Sequence, residues 1–95
     1  AQRSALLREL DLQLHEAEHE LFVVEESLDV AIERAELANR QLEMAQTAFA
    51  QGETDLRVLL RTQEAARTAD SELAGLQIHR LRMIAMLNHA LGEIP

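Results

Sequence analysis

The chain has no cysteine, tryptophan, tyrosine or lysine, two phenylalanines and a single proline. Without cysteine there is no disulfide framework and no thiolate metal site. With so few large rings, a wide globular core has little to fill it. No apolar run is long enough to suggest a membrane-spanning helix, and no signal-peptide pattern opens the chain. The net charge of −8 speaks against nucleic acid as a partner, because phosphate binding needs a basic stripe. Glycine is scarce as well. Gly52 stands near the middle, Gly75 lies inside the second apolar run, and Gly92 comes just before Pro95 at the end. Residues 1–51 contain neither Gly nor Pro, so nothing there interrupts a helix.

What is abundant is Ala, Leu, Glu, Gln and Arg, the strong helix formers. Ninety-five residues allow one small domain at most. Charge is uneven along it. Residues 1–50 hold eleven acidic and four basic side chains, and residues 51–95 hold six and five. The acidic run over 9–43 reads most simply as a solvated helix face. The start on AQRSALL, without Met, reads as a segment excised from a larger protein.

Periodicity carries the fold. Stepping by three and four from Leu7 meets Leu10, Leu14, Ala17, Leu21, Val24, Leu28, Ala31, Ala35, Ala38, Leu42, Ala45 and Phe49, all apolar. This is a coiled-coil seam, and the rod it defines is ~72 Å long at 1.5 Å per residue. A second seam runs through Leu59, Thr62, Ala66, Ala69, Leu73, Leu76, Arg80, Met83, Leu87 and Ala90, with Thr62 and Arg80 as polar exceptions. Beside it, Ala74, Ile78, Leu81 and Ala85 widen the apolar arc beyond what one partner helix covers, which implies a second neighbour.

Between the seams, Gly52 suits a left-handed helix stop. Thr54, or Glu53, suits the cap of the next helix, and Asp55 its first turn. A link this short makes the two helices antiparallel neighbours. The sequence therefore predicts an all-α fold: a two-helix antiparallel coiled-coil hairpin over 1–95, with helices at about 3–50 and 55–91 and a turn at about 51–54. Leu42 then faces Gln63, Ala38 faces Ala66, Ala31 faces Leu73 and Val24 faces Arg80. Arg80 is expected to cover the seam with its stem and reach Glu20 or Glu25 with its head. Phe49 is expected to plug the turn end of the seam. Gly75 implies a close approach of another helix or a mild bend, since glycine inside a helix costs roughly 1 kcal/mol.

Two motifs point to a family. Phe49, Gly52, Asp55, Leu56, Leu59, Leu60 and Gln63 follow an aromatic-x-x-Gly turn and a D-L-x-x-L-L-x-x-Q helix start. Leu87, Asn88, Ala90, Leu91, Gly92 and Pro95 spell L-N-x-A-L-G-x-x-P. In this order and at this separation they resemble the periplasmic hairpin of TolC-like outer-membrane efflux channels, closest to the heavy-metal, CzcC-type branch. The resemblance implies a homotrimeric tunnel across the periplasm of a Gram-negative bacterium. The hairpin tip (Gln51, Gly52, Glu53, Thr54, Asp55 and Leu56) would dock a periplasmic adaptor, or membrane-fusion, protein that links it to an inner-membrane pump. Val58 and Arg61 stand where family members carry the acidic residues that narrow the tunnel, so an acidic selectivity ring is not expected. No catalytic residue, cofactor or resident metal is implied. The isolated segment is expected to self-associate through the apolar stripe on its second helix.

Three rival readings have their own signatures. A general coiled-coil scaffold explains the seam but leaves both motifs as coincidence. The adaptor's own α-hairpin carries an Arg, Leu and Ser spaced along its tip, which is missing here. His15-Glu16-Ala17-Glu18-His19 spells the zinc-hydrolase motif H-E-x-x-H. However, both histidines fall on the solvent side of the seam, and two helices supply no cleft. His89 falls opposite His15, so an adventitious three-histidine metal site is the weaker form of that reading.

Overall fold

A computed structural model describes residues 2–92. It contains two helices, α1 (Gln2–Ala50) and α2 (Leu56–Gly92), packed side by side along a rod of 75 × 16 × 15 Å. The length matches the ~74 Å expected of a straight 49-residue helix at 1.5 Å per residue. The fold is all-α, a helical hairpin.

The seam is buried where both helices are present to close it. Val24, Leu28, Ala31 and Ala35 of α1 and Leu59 and Ala66 of α2 form the core, with Ala66 the most enclosed at 3 % exposure. The flanking seam positions Leu14, Ala17, Leu21, Ala38, Leu42, Ala69, Leu73 and Leu76 are half-buried. Burial peaks where the seam is alanine-rich, because small side chains let two backbones come together. Both polar seam residues are accommodated. Thr62 turns its hydroxyl onto the Val58 carbonyl at 2.7 Å, the usual refuge of a helical threonine. Arg80 is half-buried at its seam position, and its Nε donates to Glu25 Oε1 at 3.4 Å. A second link crosses the pair where Asn39 Nδ2 donates to Asp70 Oδ1 at 3.0 Å and to the Ala35 carbonyl at 2.8 Å.

The reversal is built from backbone geometry. Gly52 has φ +75°, the left-handed conformation that L-residues resist. The Gly52 N–H donates to the Phe49 carbonyl at 3.0 Å and the Glu53 N–H to the Ala48 carbonyl at 2.8 Å. This pair of bonds is the Schellman arrangement, which satisfies carbonyls the helix end would leave open.

Three expectations change in detail. The cap of α2 is Asp55, not Thr54: its Oδ1 accepts the Val58 N–H at 3.0 Å. A carboxylate three residues before an unpaired N–H is a better acceptor there than a hydroxyl placed four before it. Phe49 does not seal the tip and is 41 % exposed. It lies in the last turn of α1, level with the link, and Leu59 is the first α2 side chain buried in the seam. Gly75 is not pressed against α1 either. A Cβ there would meet nothing within 4 Å. At the far end α1 is the longer helix, and Leu7 at its overhang is exposed.

Replacing Gly52 by Val puts a β-branched side chain in the left-handed region, at a cost of about 1–2 kcal/mol. Thermal unfolding followed by circular dichroism should show a lower midpoint for Gly52→Val, and an unchanged midpoint would contradict the turn geometry.

Candidate functional site

The candidate site is the tip of the rod. Gln51, Gly52, Glu53, Asp55 and Leu56 are exposed and Thr54 is half-buried. The structure brings all six together in one turn because the Schellman bonds close α1 and the Asp55 cap opens α2 within five residues. The result is a small surface with apolar Phe49 and Leu56 beside the carboxylates of Glu53 and Asp55. Asp55 is committed to its cap, so Glu53 is the tip's more adaptable acceptor. Val58 and Arg61, one turn further along α2, are exposed as well. They add an apolar group and a positive charge beside the tip.

The H-E-x-x-H segment does not assemble a metal site. Among the described residues, no three His, Cys, Asp or Glu side chains are grouped so as to hold a metal ion. His15 is instead engaged locally. Its Nδ1–H donates to the Asp11 carbonyl at 2.8 Å, with the Asp11 carboxylate at 3.5 Å. The backbone hydrogen bond first, and the Asp11 carboxylate second, raise the His15 pKa above its ordinary 6.5. The protonated form is the one stabilised. Its contribution is therefore full below the ordinary pKa and fades as pH rises through the raised value.

At the open end, the helices part around a groove of about 340 Å³ lined by Leu10, Leu14, Ala17, Met83, Met86 and Leu87. Its apolar α2 wall is made of seam residues and Met86, not of the Ala74, Ile78, Leu81 and Ala85 arc read in α2. Ile78 and Leu81 of that arc point outward, Leu81 at 63 % exposure. The Asn39–Asp70 link was not read from the sequence. Its signal was there in register: each residue follows a seam alanine, Ala38 and Ala69, and so flanks the interface. Among the described residues no helix is long and apolar enough to cross a membrane.

No protein-family model matches the chain, and neither a curated protein nor a solved structure matches it significantly.

Two measurements check this geometry. Asp55→Ala removes the cap and should cost about 0.5–2 kcal/mol in chemical denaturation, whereas Thr54→Ala should cost much less. The reverse ranking would restore Thr54 as the cap. By NMR, the His15 imidazole should titrate above 6.5, and Asp11→Asn should bring it only part of the way back, because the backbone carbonyl remains.

Proposed function

We propose that this chain is a tunnel-wall segment of a trimeric TolC-like outer-membrane efflux channel, of the heavy-metal type, and that its tip docks a periplasmic adaptor protein. The observation that carries the reading is the tip itself. The glycine of the aromatic-x-x-Gly motif is the residue at φ +75°, and the aspartate of the D-L-x-x-L-L motif is the residue that caps α2. Two of the motif residues that carry the resemblance, Gly52 and Asp55, thus shape the reversal. A stiff rod 75 Å long with an exposed, mixed apolar and acidic end also suits a part whose work is to span distance and meet a partner end-on. On this reading the chemistry is packing and passage. Residues 51–56 make the docking surface, and Val58 and Arg61 stand nearest the constriction. The acidic face of α1 attracts cations wherever it lines a water-filled path.

The test is made in the parent gene. Gln51→Cys in the full-length protein, treated in cells with a thiol-reactive cross-linker, should capture a periplasmic protein of the adaptor class. Gly52→Val should reduce that capture and lower tolerance to heavy-metal ions. Undiminished metal tolerance together with no adaptor capture would defeat the proposal and leave the general coiled-coil scaffold as the better reading.

A further inference from the structure

The two long sides of the hairpin differ. On one side the helices are joined by polar links, Arg80 to Glu25 and Asn39 to Asp70, beside a groove lined by Ile32, Gln77 and Leu81. On the other side a groove is lined by Ser27, Val30, Ala31, Arg34, Glu72 and Leu76. Val30 belongs to a column of α1 at seven-residue spacing, Val23, Val30, Leu37 and Met44, all exposed, with Met44 at 71 %. Seven-residue spacing keeps these side chains in line along the rod. The α2 residues at the same spacing on that side are Arg61, Thr68, Gly75 and Arg82. At Gly75 there is open space, with nothing within 4 Å of where a Cβ would stand.

We infer that this second side is the interface of a homodimer, in which two hairpins lie face to face as a four-helix bundle with both Gly52 turns at the same end. Three observations specify the occupant and its direction. The first is area. A compact monomer of 10.7 kDa exposes about 5,500 Å², whereas this chain exposes 7543 Å². The excess, about 2,000 Å² per chain, falls over two chains within the roughly 2,000–5,000 Å² range of obligate homodimers. The second is charge. Residues 1–50 carry eleven acidic and four basic side chains, whereas residues 56–92 carry five arginines against Glu64, Asp70 and Glu72. A two-fold axis along the rod lays each α1 over the partner's α2, so unlike helices meet. A two-fold axis across the rod would lay α1 on α1 and bring together two helices that each carry eleven acidic against four basic side chains. The third is shape. With the turns at the same end, Val30 comes level with the partner's Gly75 and Leu37 with the partner's Thr68. At these two central levels a larger α1 side chain meets a smaller one of α2, and the missing Cβ at 75 gives Val30 its space. Arg61 and Arg82, at the ends of the α2 column, come level with Met44 and Val23 of the acidic helix. The dimer does not rest on the channel reading. It is a property of this chain by itself.

The absence of cysteine makes single labelling clean. Sedimentation of the 95-residue chain at about 100 µM should give a dimer. A spin label on Gln51→Cys should report an inter-chain distance below about 35 Å, given helix spacings of roughly 8–10 Å. Val30→Glu with Leu37→Glu, and separately Gly75→Leu, should raise the dimer dissociation constant at least about tenfold. These positions lie outside the α1–α2 seam, so helix content at high concentration should be retained. A monomer or trimer, or a label distance near the 75 Å rod length, would overturn the inference. So would variants that dimerise as the parent does.

Discussion

The close packing of α1 against α2 along a seam of small residues is the constraint on which everything else rests. Among the described residues neither helix has a second partner, so each leans on the other for nearly all the apolar burial it obtains. Ala31 and Ala35 on one side and Ala66 on the other are among the most buried residues in the molecule. They contribute little area individually. Their value is that they bring the backbones near enough for Val24, Leu28 and Leu59 to be covered as well. A seam of uniformly large residues would hold the rods apart and leave the edges wetter.

From that contact the remaining features follow in order. Antiparallel packing requires a tight reversal, and the reversal requires one residue with positive φ, supplied by Gly52. The carbonyls freed at the end of α1 are taken up by the Gly52 and Glu53 N–H groups, and an N–H at the start of α2 by Asp55. With its backbone satisfied locally, the tip leaves the side chains of Gln51, Glu53 and Leu56 exposed. That exposed surface is the one proposed above to dock a partner end-on. The polar residues that interrupt the seam are tolerated for the same reason, since Thr62 and Arg80 each find a partner without opening the pair.

The seam, the reversal at Gly52 and the reach of Arg80 to Glu20 or Glu25 were legible in the sequence, from spacing and, at residue 52, from residue type; the structure selects Glu25. What spacing does not encode was missed or misplaced. Asp55 and Thr54 are both good caps by composition, and only the path of the chain decides which carboxylate or hydroxyl reaches the Val58 N–H. Phe49 keeps the seam register, yet at the last turn α2 has barely begun, so register without a facing helix does not bury it. His15, His19 and His89 looked capable of converging in projection, but they form no metal-holding group among the described residues. The Val23, Val30, Leu37 and Met44 column is distinguished from other exposed apolar groups by lying on the side of the pair opposite the polar links, which spacing within α1 does not reveal.

The most direct test of the central claim is an intramolecular distance between spin labels at Gln13 and Asn88, measured in chains diluted with unlabelled protein. Packing of α2 back along α1 gives a separation below about 30 Å. An unbroken helix through residue 52 would place the same labels about 110 Å apart, and that result would contradict the account.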